Sequence, residues 1–346
     1  MATERGFDTL WGARTTRVST KPGEGIMTPC AYTLGEPLLR FSADHQGLIE
    51  TAGALGVHVG GAEANVAVGL ARLGTPSAVL TQLPDNSLGS RVRGELERFG
   101  VDTSLITTVK GARMGLYFHE EGPAPRGGRV IYDRAGSAMA NLTPADLPLH
   151  LFADGAAGLL HTTGITLGIG DGSRAAAMEA MDAARQANVP VSFDINHRSG
   201  LWDCATARPH YEAAIAAADV VFVAERDIKA IWPELDGPEA LHRHFAMPLL
   251  VVSRGAAGAL AIRAGCPTAH HPAFPVSGSA CRIGRGDAFA AGFLHAWLNG
   301  MGTDDALAWG CASAAFKYTL PGDLPLLDAS SVANLVATGF GDEIVR

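Results

Sequence analysis

One stretch of the chain combines the residue types that phosphoryl transfer requires: Gly284-Arg285-Gly286-Asp287, which leads directly into an apolar, alanine-rich run. A glycine turn at a helix N-terminus exposes backbone N–H groups, and the helix dipole adds positive potential there. Such groups can stabilise negative charge on a transferring phosphoryl group, and an aspartate beside them can accept the proton of an attacking hydroxyl. Taken by itself, the segment fits equally well a turn whose aspartate caps a helix.

The apolar pattern that must position this motif alternates short β-like runs with longer helical ones. This βαβα order predicts an α/β fold with a mainly parallel sheet and helices on both faces. The predicted strands are Cys30–Leu34, Ser77–Leu80, Gly158–His161, Val189–Phe193, Val220–Val223 and Leu249–Val252. The predicted helices are Glu63–Leu73, Leu88–Phe99, Arg174–Ala187, Pro209–Ala218, Ala288–Leu298, Asp304–Thr319 and Ala329–Thr338.

Three short β-rich segments interrupt this alternation: Leu55–Gly60, Met114–His119 and Arg129–Arg134. No predicted helix separates the second from the third. We therefore expect these segments to form a small β-sheet that covers a ligand site as a lid.

Further polar clusters follow predicted strands, at the edge where open α/β sheets bind their ligands. They are Gly60-Gly61 with Asn65, then Asp194 to Arg198, then Arg254 to Gly258. Each cluster alone is explained by an ordinary turn, a cap or a surface ion pair. Their joint order along one α/β pattern is what favours a functional site. The chain contains no GxxxxGK[ST] phosphate loop.

Composition limits the classes of function. The 346 residues are 47% hydrophobic and 18% charged, which suits one large α/β core. The net charge of −8, with no basic block, argues against nucleic-acid and membrane-surface partners. Five scattered cysteines without a CxxC pair indicate reduced thiols. Because the chain shows neither a secretory signal nor an apolar run of about 18 residues, we expect a cytoplasmic protein.

Three segments are predicted to lie outside the functional site. Residues 1–28 are polar and rich in Gly and Thr, so we expect a disordered extension ahead of one domain over residues 29–346. The histidine clusters His242-Arg243-His244 and His270-His271 lack a Cys or carboxylate at ligand spacing. We expect both clusters to be solvated surface.

The order of these motifs resembles the ribokinase-like carbohydrate kinases of the phosphofructokinase-B type, from about residue 30 to about residue 340. Their two signatures correspond to Gly60-Gly61 with Asn65 and to the segment from Gly284 to Phe289. Within the family, the chain is most similar to the 2-keto-3-deoxygluconate kinases. That similarity lies in residues 35–41, 115–118, 134–138, 194–202 and 321–323.

The resemblance implies a ribokinase-like sheet with a β lid, ATP and Mg²⁺ as cofactors, and a homodimer. It implies transfer of the γ-phosphoryl group to a primary hydroxyl of a sugar acid, the 6-hydroxyl of 2-keto-3-deoxygluconate. Asp287 would be the base, beside the N–H groups of Gly284, Arg285 and Gly286. Mg²⁺ would be held through waters and ATP phosphates, with Asp227 as the protein carboxylate.

The resemblance also implies two sets of binding residues. The sugar acid would be contacted by Gly60, Gly61, Asn65, Tyr117, His119, Arg134, Arg198 and Asp287. Arg198 is assigned to the substrate carboxylate, because a guanidinium binds it with two parallel hydrogen bonds. ATP would be contacted by Asn196, Asp227, Ser253, Gly255, Ala256, Gly258, Gly284 and Gly286.

Four positions depart from the family pattern. Arg285 stands where alanine is usual, and His119 stands where relatives can carry an arginine. Ala224–Asp227 replaces an Asn-x-x-Glu stretch linked to Mg²⁺ and phosphate. Cys281 replaces an aspartate in a region that binds a monovalent cation in some relatives, so a potassium requirement is in doubt.

Two alternatives to a sugar-acid kinase stay open on the sequence. One is a kinase for a neutral sugar or nucleoside, against which Arg198 argues. The other is a non-catalytic sugar-acid-binding protein, which the altered Ala224–Asp227 stretch and Cys281 would fit. The retained Asp287 argues against it, because a protein without catalysis has no need of that residue.

Overall fold

The structure is a computed structural model, and it describes residues 29–43, 47–122, 125–278 and 281–339. The extension predicted over residues 1–28 lies outside these ranges. The described strands are β1 Cys30–Leu34, β2 Leu38–Ala43, β3 Leu55–Gly60, β4 Ser77–Pro84, β5 Ile106–Val109, β6 Leu116–Glu120, β7 Arg129–Asp133, β8 Ala157–Thr163, β9 Val191–Asp194, β10 Val220–Ala224, β11 Leu249–Ser253, β12 Ala259–Arg263 and β13 Ala269–His271.

The strands form two separate sheets. The main sheet has nine strands in the order β13-β12-β11-β10-β9-β8-β1-β4-β5. It runs parallel from β5 to β11, and β12 and β13 add an antiparallel edge. Its central strands are buried on both faces, which is why they are continuous apolar runs in the sequence.

Helices cover both faces of the main sheet. They are α1 Ala62–Arg72, α2 Ser87–Arg98, α3 His150–Ala153, α4 Gly164–Gly168, α5 Asp171–Gln186, α6 Cys204–Ala217, α7 Glu225–Ile231, α8 Gly237–Phe245, α9 Arg285–Leu298, α10 Thr303–Thr319 and α11 Ala329–Thr338. Alternate strand residues enter different cores. Leu160 of β8 packs with the α5 and α6 side, whereas its neighbour Leu159 packs with α1, α9 and α10.

The second sheet is the predicted lid, with four strands in the order β3-β2-β6-β7. The sequence predicted three of them, and β2 was missed. Strand β2 pairs with both β3 and β6, so it is the strand that holds the lid together. Strand β7 is an exposed edge along its whole length.

Some elements differ from the sequence prediction. Strands β5, β12 and β13 and helices α3, α4, α7 and α8 were not predicted. Helix α6 begins at Cys204 rather than Pro209, because Asp203 accepts a capping hydrogen bond from the Thr206 N–H at 2.8 Å. The surface assignment of His242 is wrong: it lies in the last turn of α8 beside Leu241, and both are buried. Among the described residues, no helix is both long and apolar enough to cross a bilayer.

Candidate active site

A cavity of about 1330 Å³ lies between the lid and the carboxyl edge of the main sheet. It collects the residues that end parallel strands, Asp194 of β9, Ala224 of β10 and Ser253 of β11, with Tyr117 of the lid. Pockets for a single small molecule usually have volumes of about 300–1,000 Å³, so this one has room for two ligands.

The turn that begins α9 places Asp287 on the wall of this cavity. Gly284 caps the helix at a φ of 77°, and a side chain there would collide with the carbonyl oxygen of Asp323, so the position requires glycine. Asp287 is buried, and Asn65 of α1 donates from Nδ2 to its Oδ2 at 2.6 Å. The two glycine motifs, distant in sequence, therefore meet at one carboxylate.

The electrostatic surroundings of Asp287 suit a proton acceptor. Burial raises the pKa of this carboxyl, while the Asn65 hydrogen bond and the Arg198 charge oppose the increase. A base whose pKa lies above that of a free aspartate takes a hydroxyl proton more readily.

Asp194 is a second cavity carboxylate, and the sequence had placed it in a polar cluster after a strand without assigning it a role. Burial, followed by the charge of Asp287, raises the pKa of Asp194 to about 7. Its position directly after strand β9 was the available signal.

Arg198 lies in the cavity with its charge uncompensated by an ion pair. Among the described residues, no carboxylate lies within ion-pair distance of it, and its recorded hydrogen bond is to the His197 carbonyl at 3.4 Å. Its charge opposes the raised pKa values of Asp194, Asp227 and Asp287, so it lies near all three. A guanidinium in this state is available to an anionic ligand.

The lid side of the cavity is built from charges that are already paired. Arg40 of β2 lies 2.7 Å from Asp323, and both side chains are almost fully buried. Tyr117 of β6 donates its hydroxyl to the same carboxylate. Arg134, a predicted substrate residue, also lines the cavity. Its Nε donates to Glu36 at 2.7 Å, so its charge is already paired with that carboxylate.

Two predicted substrate residues do not line the cavity. Gly60 lies behind it, where a side chain would collide with the carboxylate of Asp323. His119 is half-buried in the lid, and burial together with the charge of Arg40 lowers its pKa. The other predicted substrate residues do line the cavity: Gly61, Asn65, Tyr117, Arg134, Arg198 and Asp287.

Every residue predicted to contact ATP lines this cavity. These are Asn196, Asp227, Ser253, Gly255, Ala256, Gly258, Gly284 and Gly286. The sequence had not identified Tyr318, whose ring lies 4.4 Å below the Arg285 guanidinium. Burial and the charges of Arg282 and Arg226 lower the pKa of Arg285, so three cations lie near one another here.

The residues fit a magnesium ion that arrives with a nucleotide. Among the described residues, no three His, Cys, Asp or Glu side chains converge closely enough to form a metal cage. Asp194 and Asp227 nevertheless both line the cavity, and Asp227 adds to the raised pKa of Asp194. Mg²⁺ commonly binds one or two carboxylates, with phosphates and waters completing the octahedron.

The chain matches the pfkB family of carbohydrate kinases over residues 32–328, and it belongs to that family. It is therefore a phosphotransferase that acts on a sugar hydroxyl. The fold class and family predicted from the sequence are confirmed, and the non-catalytic alternative is not supported.

Named relatives narrow the class further. The 2-dehydro-3-deoxygalactonokinase of Haloferax volcanii is 39% identical over 318 residues, which cover 90% of this chain and 98% of that protein. The solved 2-dehydro-3-deoxygluconokinase of Thermotoga maritima is 28% identical with a TM-score of 0.80, covering 89% of this chain and 98% of its own. These similarities place the chain among the sugar-acid kinases of the family. A ribokinase II-type structure from Escherichia coli, in complex with ATP and Mg²⁺, shares the fold with a TM-score of 0.82 at 20% identity. The match covers 89% of this chain and 99% of that one.

Proposed function

We propose that the protein transfers the γ-phosphoryl group of Mg-ATP to the terminal primary hydroxyl of a 2-keto-3-deoxy sugar acid. The substrate is 2-keto-3-deoxygluconate, phosphorylated at its 6-hydroxyl, or its C4 epimer 2-keto-3-deoxygalactonate. The observation that carries this proposal is one cavity in which Asp287, at a helix N-terminus, lies near the unpaired guanidinium of Arg198. The names of the two sugar-acid kinase relatives support it.

Asp287 accepts the proton of the sugar hydroxyl as the oxygen attacks the γ-phosphorus. Asn65 holds the carboxylate through Oδ2, so its other oxygen is left for the hydroxyl. The N–H groups of Gly284, Arg285 and Gly286 receive the charge of the transferring group, because the first turn of a helix leaves its donors without internal partners.

Arg198 binds the carboxylate of the sugar acid, since its charge has no partner ion in the part of the protein that the structure describes. Gly61 and Asn65 contact the sugar hydroxyls, and Tyr117 closes the lid side of the site with its ring. Arg134 shapes this wall through Glu36 rather than reaching the ligand as a free cation.

ATP lies along the ends of β11 and α9, between Ser253, Gly258 and the Arg285 side chain. Asp227 and Asp194 would hold the magnesium ion when it arrives with the nucleotide. When bound, the metal neutralises charge on the phosphate oxygens and thereby lowers the barrier to transfer.

A homodimer through the lid is part of the proposal. Edge strand β7 exposes Val130, Ile131 and Tyr132, and apolar residues on an unpaired edge suit contact with a second copy. Sedimentation of the wild type and of Ile131→Lys would test it, with the variant expected to be monomeric. A wild-type monomer would contradict the dimer while leaving the kinase proposal intact.

The function is tested by ADP release with Mg-ATP against 2-keto-3-deoxygluconate, 2-keto-3-deoxygalactonate, gluconate, fructose, ribose and adenosine. We expect turnover of the two keto-deoxy acids. Arg198→Gln should raise KM for them by roughly 10- to 100-fold, since a hydrogen bond to a charged group contributes about 1.5–3 kcal/mol. Arg113→Gln, an exposed lid arginine paired with Asp133, is the control. Turnover confined to fructose, ribose or adenosine would reject the sugar-acid assignment.

A further inference from the structure

Lys317 is a completely buried cation outside the catalytic constellation, and it has no carboxylate partner among the described residues. It lies near the C-terminus of α10 with an exposed fraction of 0%. Among the described residues, no carboxylate lies within ion-pair distance of its Nζ. A charge buried in this way is costly unless it has a structural or functional task.

The partners of the Lys317 ammonium are backbone carbonyls. Nζ donates to the carbonyl oxygens of Leu320 at 3.1 Å and Gly322 at 2.9 Å, in the loop that follows α10. These oxygens lie at the negative end of the helix dipole, where a cation is favoured. The ammonium therefore fixes a loop that the helix alone would leave with unsatisfied acceptors.

The loop of residues 320–323 packs behind the turn of residues 284–287, the phosphoryl-transfer turn. A side chain at Gly284 would collide with the carbonyl of Asp323 and would lie 3.2 Å from Cε of Lys317. The lysine stem, the loop and the turn are therefore in direct contact. Burial lowers the pKa of Lys317, and the carboxylate charges of Asp323 and Asp287 act against that lowering, so both carboxylates influence the ammonium electrostatically.

The same features do not fit a free monovalent cation. Such an ion needs several oxygen ligands, and two carbonyl oxygens here are already bound by the ammonium. Cys281 supplies a buried thiol in place of the carboxylate that the family pattern would offer. A second cation beside Lys317 would also meet its positive charge at short range.

We infer that the Lys317 ammonium is a built-in cation that positions the phosphoryl-transfer turn, so that the enzyme requires no free monovalent cation. Lys317 is a positioning residue, since it acts on the turn through its stem and the 320–323 loop. This inference rests on the proposed transfer at the α9 N-terminus, but its test includes a measurement that needs no turnover.

The first measurement is binding of rubidium, a potassium analogue, by equilibrium dialysis. We expect no competable rubidium site in the wild type and one site in Lys317→Ala/Cys281→Asp, which frees both carbonyls and restores a carboxylate. A wild-type site that potassium competes for would overturn the inference, whether or not any sugar is phosphorylated. Absence of turnover with intact folding would instead reject the proposed function.

The second measurement is kcat in potassium, sodium and choline chloride. The wild type should be indifferent to the salt. Lys317→Ala should lose roughly 10- to 100-fold in kcat with little change in either KM, the scale of losing a charged hydrogen bond, and ammonium or potassium should restore part of it. Lys110→Ala, an exposed lysine, is the control. Activation of the wild type by potassium, or a folded Lys317→Ala with full kcat in choline, would refute the inference; an unfolded variant leaves the wild-type measurements to decide.

Discussion

The lid side and the floor of the cavity handle charge in opposite ways. On the lid side, Arg40 is paired with Asp323 and Arg134 with Glu36. On the floor, Arg198 has no ion-pair partner in the described structure, and Asp194 and Asp287 have raised pKa values. Paired charges define a fixed shape, whereas unpaired charges are compensated only when a ligand arrives. The comparison predicts that lid substitutions cost mainly stability and that floor substitutions cost mainly function.

The largest effect should come from the floor base. Asp287→Asn keeps the shape of the side chain but cannot accept the hydroxyl proton. Turnover should fall by roughly 10³- to 10⁴-fold, while ATP binding measured by calorimetry stays within about two-fold. The exposed Asp304→Asn is the matched control. Near-normal turnover would show that Asp287 is not the base. It would also contradict the expectation that floor substitutions cost mainly function.

The second-largest effect, a loss of stability, should come from breaking the ion pair between Arg40 of the lid and Asp323 of the loop after α10. Asp323→Asn leaves Arg40 buried without its counter-ion, so the free energy of unfolding in urea should fall by about 3–5 kcal/mol. Arg40→Met/Asp323→Asn should recover part of this loss, because the unpaired charge has gone. If the double variant is as unstable as the sum of the single ones, the pair is not the source of lid stability.

The same contrast explains what could be read from the sequence. The central strands were predictable because burial on both faces makes them continuous apolar runs, whereas β5 has two exposed threonines at its centre and gave no such signal. Arg134 and Arg198 are the same residue type, and both were predicted to contact the sugar acid, with Arg198 assigned to its carboxylate. Only the fold brings Glu36 against Arg134 and leaves Arg198 without an ion-pair partner among the described residues.

Asp323 shows the same limit more sharply. In the sequence it belonged only to a stretch that resembles the family and had no predicted role. In the structure, Arg40 and Tyr117 from two lid strands both contact it. The Tyr117 contact spans 206 residues of sequence. No local pattern encodes such a contact, because it depends on how the lid packs on the main sheet.

An ionised Asp194 carboxylate without a bound ligand should lower the free energy of unfolding, and measurements over a pH series test this. The pKa of Asp194 is raised from 3.8 to about 7, so the folded state holds a proton that the unfolded chain has already lost in this interval. Stability should therefore decrease as pH rises from about 4 to about 7. Asp194→Asn should be more stable than the wild type by about 1–3 kcal/mol above pH 7 and similar to it below pH 4. An equal difference at both pH values would exclude titration of Asp194 as the cause.

The smallest effect is expected at Arg285, where the chain departs from its family. Arg285→Ala keeps the backbone N–H that faces the transferring group but removes the guanidinium stacked on Tyr318. Because Arg282 and Arg226 remain, KM for ATP should rise only about five-fold, with kcat within about two-fold. Unfolding should require slightly more urea, since three neighbouring cations repel one another without nucleotide. A large loss of kcat would mean that the Arg285 side chain itself contacts the transferred phosphoryl group. The floor would then contain a second side chain, besides Asp287, that acts in the transition state.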